Sequence, residues 1–287
     1  MTYEEAFRKG AALLKRAGVE EYALDARLLL EDCCGVSYQD LLVYGDRELN
    51  ESGEGAYFQA IARREQRIPL QQIMGIQQFM GLPFFVSEDV LIPRQDTEIL
   101  VEEALKVLKP GMEILDLCTG SGCILLSLLY YSEECVGLGT DLSGKALLAA
   151  MRNRDHIQGL CGASGKKAIR AGFRESDLFA SVTGCFDVIV SNPPYIASRV
   201  IDTLEPEVRV YEPRLALDGG SDGLFFYREI LPESREHLNE GGWIFLEIGH
   251  DQGEAVSNLM RAAGFDQVRV TRDLAGLDRV VSGKWTR

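Results

Sequence analysis

The sequence contains no apolar run approaching the roughly 18 residues that a membrane-spanning helix requires. It has three histidines, and its seven cysteines form no C-x-x-C pair and no Cys/His spacing typical of a zinc site. Basic residues are also in the minority, since 30 Lys and Arg against 44 Asp and Glu leave a net charge of −14. These shortages argue against a membrane protein, a disulfide framework and a metal site. Except at a local basic patch, they also argue against stable nucleic acid binding.

The length and composition are those of a globular protein of more than one domain. At 287 residues, with 46% hydrophobic and 26% charged residues, the chain exceeds a typical single domain. Residues 1–8 lack the apolar core of a signal peptide and carry acidic residues that a transit peptide avoids. We therefore expect one full α/β domain with a smaller companion, a cytoplasmic location and, by default, a monomer.

Residues 1–75 are predicted to form a small helical domain, and residues 76–92 a β-hairpin connector. Apolar residues recur at helical spacing in residues 6–17, 23–30 and 57–67. The connector is aromatic and β-rich and is broken by Gly and Pro, as in a hairpin. The helices carry little catalytic chemistry, so we expect them either to pack or to grip a macromolecular substrate.

Residues 93–287 are predicted to form an α/β domain. A helix opens after Pro93, with Asp96 or Thr97 as its expected N-cap, and alternating strands and helices follow Gly111, a pattern that forces parallel pairing. The predicted strands are residues 113–117, 135–140, 167–171, 187–191, 243–248, 267–271 and 279–282, and the helices between them are residues 122–131, 143–156, 224–239 and 252–263. Because only residues 272–278 separate the last two strands, too few for a crossover helix, we expect an antiparallel pair at one edge of a mostly parallel, seven-stranded sheet.

A glycine-containing loop follows the first strand of this domain and indicates a cofactor site. It reads Asp116-Leu117-Cys118-Thr119-Gly120-Ser121-Gly122 and runs directly into a helix. Glycines between a strand and a helix let a ligand approach the backbone at the carboxyl edge of the sheet. The loop lacks the Gly-Lys-Ser/Thr ending of a P-loop, but its approximate GxGxxG pattern does not by itself exclude NAD, and such turns also open helices that bind nothing.

Two further aspartates narrow the choice of cofactor. Asp141 ends the second strand, where its carboxylate can accept hydrogen bonds from the two hydroxyls of a ribose. Asp177, after the third strand, could accept from an adenine amino group while Leu178 packs on the ring; the alternative is a helix cap. A sulfonium cofactor carrying ribose, adenine and an amino-acid end accounts for these residues and for the acidic loop.

The four residues Asn192-Pro193-Pro194-Tyr195 follow the apolar run of the fourth strand. A pair of prolines cannot continue the strand, because proline has no N–H and fixes φ. The Asn192 side-chain oxygen and the Pro193 carbonyl can accept hydrogen bonds from both N–H groups of a planar NH2 group, and Tyr195 can cover its π face. The alternative is a turn that only ends a strand. A binding site for an amide or exocyclic amine explains the four residues, whereas NAD would leave them without a role.

These motifs resemble those of the peptide chain release factor glutamine N5-methyltransferases, which belong to the Rossmann-like class I S-adenosylmethionine-dependent methyltransferases. The resemblance covers nearly the whole chain. Besides the loop and the Asn-Pro-Pro-Tyr motif, it rests on Ile92-Pro93-Arg94-Gln95-Asp96-Thr97-Glu98 and on Tyr211-Glu212-Pro213-Arg214-Leu215-Ala216-Leu217-Asp218-Gly219. The last stretch is the most specific, because adenine DNA methyltransferases share Asn-Pro-Pro-Tyr alone.

The resemblance implies methyl transfer from S-adenosylmethionine to the glutamine amide in the Gly-Gly-Gln tripeptide of class 1 release factors. It implies that Cys118, Thr119, Gly120, Ser121 and Gly122 cradle the methionine portion, with Asp141 on the ribose and Asp177 and Leu178 on the adenine. Asn192, Pro193, Pro194 and Tyr195 would bind the glutamine amide, with Asn192, Pro193 and Tyr195 catalytic and Asn192 also bordering the cofactor. The histidines, His156, His237 and His250, are expected to pack or lie at the surface.

Two departures from the family pattern and two rival functions stand beside this interpretation. Gln95 replaces the usual Pro, which should matter little beside Pro93, and Cys118 replaces the usual Gly, which should be tolerated if its φ is negative. An adenine N6 methyltransferase acting on nucleic acid would use the same motif, but a basic face and a target-recognition insertion are missing. A cofactor-binding scaffold without catalysis would not need the amide acceptor.

Overall fold

A computed structural model of the chain describes residues 1–164 and 168–286, with only the backbone at residues 163 and 164. The contacts divide it into two units. The smaller comprises Met1–Ile76 together with Glu205–Tyr211, and the larger comprises Gln77–Leu204 together with Glu212–Arg287. Within the described residues, no helix has both the length and the apolar content needed to cross a membrane.

The smaller unit is helical. Its helices are α1 (Tyr3–Arg16), α2 (Tyr22–Cys34), α3 (Tyr38–Val43), α4 (Glu51–Glu65), α5 (Leu70–Met74) and, from the separate segment, α10 (Pro206–Tyr211). Helix α4 begins six residues before the predicted start at Tyr57, because the side chain of Asn50 caps it by accepting a hydrogen bond from the Gly53 N–H at 2.7 Å. The apolar faces of α1, α2 and α4 form a core of fully buried side chains that includes Leu14, Leu29 and Ile61.

An ion-pair network inside the smaller unit holds the separate segment. The Arg64 guanidinium donates to Asp25 at 2.7 Å and to Glu207 at 2.8 Å, and Arg67 donates to Glu207 at 2.6 Å. Burial alone would raise the pKa of Glu207, but hydrogen bonds from Arg67 and Arg64 lower it below its usual value. Since Arg64 and Asp25 are almost fully buried, loss of either partner would leave an unpaired charge in the interior.

The larger unit begins within a hairpin of β1 (Ile76–Phe79) and β2 (Leu82–Phe85) and contains a seven-stranded sheet. The strands of the sheet are β3 (Glu113–Leu117), β4 (Val136–Asp141), β5 (Ala171–Glu175), β6 (Phe186–Ser191), β7 (Leu238–Glu247), β8 (Asp266–Arg272) and β9 (Asp278–Lys284). The helices are α6 (Glu98–Leu105), α7 (Cys123–Tyr131), α8 (Gly144–Ser164), α9 (Ser198–Ile201), α11 (Phe225–Ser234) and α12 (Gly253–Ala262), with 3-10 turns at Gln95–Thr97 and Arg214–Ala216.

The sheet order is β5-β4-β3-β6-β7-β9-β8. The five strands from β5 to β7 are parallel, whereas β9 is antiparallel to both β7 and β8, so the predicted fold class and antiparallel edge pair are confirmed. Apolar residues alternate between the two faces: Ile114 packs with residues of α6 and α7, and Leu115 with residues of α11 and α12. Helices therefore cover both faces of the central strands.

Two predicted elements lie elsewhere than the sequence indicated. The third strand, predicted at residues 167–171, begins at Ala171, while Lys167 lies outside the described residues. It is displaced because α8 continues past His156, burying Ile157 and Cys161, up to Ser164. The helix predicted at residues 224–239 ends at Ser234, and the end of that range is the start of β7.

Candidate active site

Four loops of the larger unit meet at the carboxyl edge of its sheet. The parallel register pairs Leu117 of β3 with Ser191 of β6, so the loops that start at Cys118 and Asn192 leave the sheet side by side. The Ser191 hydroxyl donates to the Leu117 carbonyl at 2.8 Å and ties the two strand ends together. Strands β4 and β6 flank β3 on opposite sides, so the edge lies at the topological switch point where open α/β sheets bind ligands.

A cavity at this edge brings together most of the predicted site residues. Those in its wall are Cys118, Gly120, Asp141, Asp177, Leu178, Asn192 and Pro194. Asp89, which pairs with the exposed Lys145 at 2.9 Å, adds a third aspartate, and none of the described Lys, Arg or His residues lines the cavity. An acidic wall without a basic group suits a cationic ligand and disfavours a phosphate.

The two aspartates predicted to bind the nucleoside have different surroundings. Asp141 accepts hydrogen bonds from the backbone N–H groups of Gly120 at 2.8 Å and Ser143 at 2.9 Å, which leaves lone pairs for two ligand hydroxyls. Burial raises the pKa of Asp141. The Asp177 carboxylate forms no hydrogen bond or ion pair with any described residue, and a turn follows it, so the helix-cap alternative is wrong.

The remaining loop residues lie behind the cavity wall. Asp116 is fully buried; its Oδ2 accepts from the Thr119 hydroxyl at 2.6 Å, and its Oδ1 has no partner among the described residues. Burial raises the pKa of this carboxyl to about 7. The Ser121 carbonyl accepts from Asn153, and Gly122, with φ +78°, is the N-cap of α7. These residues shape the loop from behind, and direct cofactor contact by Thr119, Ser121 and Gly122 stays a prediction.

Cys118 has a φ of +57°, which does not meet the condition of negative φ set for tolerating a side chain there. In this left-handed region a Cβ costs roughly 1–2 kcal/mol, so the glycine usual in the family would be unstrained. Burial, reinforced by Asp141 and Asp116, raises the pKa of the Cys118 thiol well above its usual value. The thiol therefore stays protonated at neutral pH and places a neutral group in the cavity wall.

The Asn-Pro-Pro-Tyr turn presents one side-chain amide to the cavity. Asn192 donates through Nδ2 to the Thr97 hydroxyl at 3.3 Å, which directs its Oδ1 away from Thr97. Thr97 is the N-cap residue of α6, one of the two predicted positions, but its side chain makes no capping hydrogen bond. The Pro193 carbonyl accepts no hydrogen bond from the parts of the chain that the structure covers, and Tyr195 directs its hydroxyl to Glu247 at 3.4 Å. Pro193 and Tyr195 lie outside the cavity wall.

Residues 212–219 of the larger unit pack directly on this turn. The Ile196 N–H donates to the Leu217 carbonyl at 3.0 Å, and the Gly219 N–H donates to the Ile196 carbonyl at 2.8 Å. A Cβ at Gly219 would lie 2.8 Å from the Pro194 carbonyl oxygen. Glu212 at the start of the stretch accepts from Arg94 Nη2 through both oxygens, at 2.7 and 2.8 Å. Arg94 of the stretch 92–98 thus binds the start of this stretch, whose other end holds the turn.

The family follows from the comparison with known proteins. The model of the PrmC N-terminal domain matches residues 5–75, and that of the methyltransferase small domain matches residues 94–207. A release factor glutamine methyltransferase of Caulobacter vibrioides is 41% identical over 99% of this chain and 96% of its own length. One of Geobacter sulfurreducens is 42% identical over 94% of this chain and 92% of its own. The chain belongs to the release factor glutamine methyltransferase family.

A solved methyltransferase structure has a similar fold. A methyltransferase of Pyrococcus furiosus is 17% identical and superposes with a TM-score of 0.51 over 72% of this chain and 91% of its own. At that identity the likeness concerns the fold alone, and it agrees with the class I methyltransferase sheet described above. The cofactor of this methyltransferase fold is S-adenosylmethionine. Its cationic sulfonium fits a cavity wall with three aspartates and no described basic residue.

Some residues of this family member's site were not foreseen from the sequence. Thr97 lies within a motif stretch but was expected to cap a helix, whereas Glu247 ends a buried strand and gave no local signal. None of the three histidines lines the cavity: His156 packs on Phe85, His237 stacks on Phe179, and His250 is exposed.

Proposed function

We propose that this protein transfers a methyl group from S-adenosylmethionine to the side-chain amide nitrogen of a glutamine in class 1 peptide chain release factors, within their Gly-Gly-Gln tripeptide. The observation that carries the proposal is the position of Asn192. Its amide stands next to the acidic cavity and is bound to Thr97 through Nδ2. An oxygen acceptor therefore faces the place where a substrate NH2 group would meet the cofactor.

The cofactor-binding roles follow from the wall of the cavity. Asp141, at the end of β4, would accept from the ribose hydroxyls, and Asp177 with Leu178 would hold the adenine. Cys118 and Gly120 would border the methionine portion, which brings the sulfonium close to Asn192, because β3 and β6 are adjacent. When bound, S-adenosylmethionine supplies an activated methyl group and leaves as a neutral thioether.

The chain's own residues would compensate for the poor nucleophilicity of an amide nitrogen. The Asn192 Oδ1 and the Pro193 carbonyl would accept hydrogen bonds from the two N–H groups of the glutamine side chain and orient its nitrogen toward the methyl group. The same two dipoles favour the positive charge that the nitrogen acquires in the transition state. The extra proton of the product is acidic enough to leave to water, so the mechanism requires no histidine base.

The test is methylation of a purified release factor. We expect incubation with S-adenosylmethionine to add one methyl group to the peptide that contains Gly-Gly-Gln, as detected by mass spectrometry. Asn192→Ala should abolish this transfer and leave the cofactor Kd within a few fold. Asn258→Ala, at an exposed position of α12, serves as the matched control and should leave activity unchanged. Methylation of adenine in parallel duplex DNA, with the peptide unmodified, would contradict the proposal.

The location and the assembly state complete the proposal. A protein whose acceptor is a release factor would act where translation takes place, in the cytoplasm, and it would act as a monomer without stable nucleic acid binding. The net charge of −14 supports the last point, because it repels a phosphate backbone over most of the surface. Light scattering of the purified protein, with and without RNA, would test both statements.

A further inference from the structure

The orientation of the Asn192 amide depends on a hydroxyl hydrogen. Thr97 is 2% exposed, and its Oγ1 lies 3.3 Å from the Asn192 Nδ2. A hydroxyl can donate or accept, and an asparagine amide can present either its oxygen or its nitrogen. If Thr97 donated to Asn192, the amide oxygen would turn inward and the NH2 group would face the substrate. The group that accepts a hydrogen bond from the Thr97 hydroxyl therefore determines whether the Asn192 amide presents its oxygen or its NH2 group to the substrate.

Glu247 is the group in position to take that hydrogen. It ends β7, is 1% exposed, and lies next to Thr97 and Tyr195. Its Oε1 accepts from the Tyr195 hydroxyl at 3.4 Å, while its Oε2 is buried with no hydrogen-bond partner among the described residues. A buried oxygen without a donor is rare in native structures and is costly, because it has lost its hydrogen bonds to water without replacement. A Thr97 hydroxyl that points to Glu247 relieves this cost.

We propose that Glu247 and Thr97 are positioning residues that hold the Asn192 amide with its oxygen toward the substrate, an inference that rests on the proposed function. Ionised Glu247 accepts the Thr97 hydrogen, Thr97 in turn accepts from the Asn192 Nδ2, and Oδ1 is left for the glutamine amide. The same carboxylate accepts from Tyr195 and so orients two of the four residues of the Asn-Pro-Pro-Tyr turn.

The arrangement is sensitive to pH near neutrality. Burial raises the pKa of Glu247 to about 7, although Thr97, Arg279 and Tyr195 lower it. The Arg279 Nη2 also forms ion pairs with the carboxylates of Asp96 at 3.1 Å and Asp273 at 3.0 Å. The titratable groups that face Glu247 are Tyr195, Tyr227, Cys123, Asp96 and Arg279. A protonated Glu247 can donate to the Thr97 hydroxyl instead of accepting from it, so the amide loses its single preferred orientation as the pH falls through 7.

The first experiment separates positioning from structure by kinetics. Thr97→Val keeps the shape but deletes the hydroxyl, and we expect kcat for release factor methylation to fall at least tenfold with the cofactor Kd within about twofold. Thr97→Ser should retain activity within about threefold. Ser257→Ala, which deletes a buried hydroxyl that has no hydrogen-bond partner among the described residues, is the matched control and should leave kcat unchanged. Equal losses in the Val and Ser variants would overturn the proposal.

The second comparison asks whether Glu247 acts through Thr97. Glu247→Gln should lower kcat by a similar factor and flatten the wild-type increase of activity between pH 6 and about 8. The double variant should be no slower than Thr97→Val alone, because the chain of hydrogen bonds is already interrupted. Additive losses would mean that the two residues act independently and would refute the inference.

A readout without substrate keeps this inference distinct from the proposed function. The side-chain amide signals of Asn192 in 15N NMR, assigned by their loss in Asn192→Ala, should shift with an apparent pKa close to 7 in the wild type. They should stay constant in Glu247→Gln and in Thr97→Val. Invariant wild-type signals would overturn the inference even in an active enzyme. If the signals titrate but no release factor is methylated, the inference stands and the proposed function fails.

Discussion

Gly219→Ala is the substitution with the most clearly defined structural consequence. The added Cβ would lie 2.8 Å from both the Pro194 carbonyl oxygen and the Tyr195 Cα, and 2.9 Å from the Tyr195 carbonyl carbon. All three atoms belong to the backbone, so no side-chain rotation relieves the contact, and the turn must move by roughly half an ångström. Overpacking of this kind costs about 1–3 kcal/mol of unfolding free energy. The movement is transmitted to Asn192 and Pro193, and kcat should fall by about tenfold.

Calorimetry and single-turnover methylation of a release factor measure these two effects. Cofactor affinity should change little, because Gly219 is not in the cavity wall. The control is Gly159→Ala at an exposed position of α8, where no described atom beyond the local helix backbone lies within 4 Å of the added Cβ; it should stabilise the helix by up to about 1 kcal/mol and leave kcat unchanged. A Gly219→Ala enzyme with wild-type kcat would show that the contact between the two stretches does not position the acceptor turn.

Four further predictions concern the cofactor, the loop, the pH dependence and the smaller unit. Asp141→Ala should raise the cofactor Kd at least tenfold by calorimetry, the equivalent of about 1–3 kcal/mol; unchanged affinity would remove it from the site. Cys118→Gly should be more stable than Cys118→Ala by about 1 kcal/mol in urea unfolding, since only the latter keeps a Cβ at positive φ. Asp116 ionises near pH 4 in the unfolded chain and near pH 7 in the folded protein. As the pH rises from 4 to 7, the unfolding free energy of the cofactor-free protein should therefore fall by up to about 1.4 kcal/mol per pH unit. Asp116→Asn should make that slope shallower. Arg64→Met should cost about 3–5 kcal/mol by isolating Asp25, and adding Asp25→Leu should recover most of it.

Sequence patterns located the strands well wherever burial imposes a simple period. The strand at Glu113–Leu117 matched its prediction residue by residue, because apolar residues fill both faces and Gly111 marks its start. The prediction was less accurate where helix ends depend on tertiary contacts. Helix α8 runs to Ser164 because Ile157 and Cys161 pack into the buried core of the larger unit. The short helix at Tyr38–Val43 was not predicted, and none of its residues is buried.

The site shows the same division between local and nonlocal information. Asn192 and Asp141, predicted site residues because they stand at the ends of predicted strands, lie in one cavity wall, since parallel strands bring their carboxyl ends to one edge. The positive φ of Cys118 was not foreseen, because its residue type suggests ordinary backbone. Glu247 was missed because its importance comes from its neighbours, Thr97 and Tyr195, which are distant in the sequence. Contacts of this kind depend on the fold and not on any local pattern.

The smaller unit consists of two separate chain segments, and this affects when it can finish folding during synthesis. The ribosome makes the five helices of Met1–Ile76 before α10, which supplies Glu207 to Arg64 and Arg67 and is complete only after residue 211 has been translated. Until then the nascent helices hold two arginines without this carboxylate. The order of synthesis therefore delays completion of the first-made unit until the strands β3 to β6 and the acceptor turn have left the ribosome. For the same reason, removing the first 76 residues would not delete one unit cleanly, because Glu205–Tyr211 would remain without its partners.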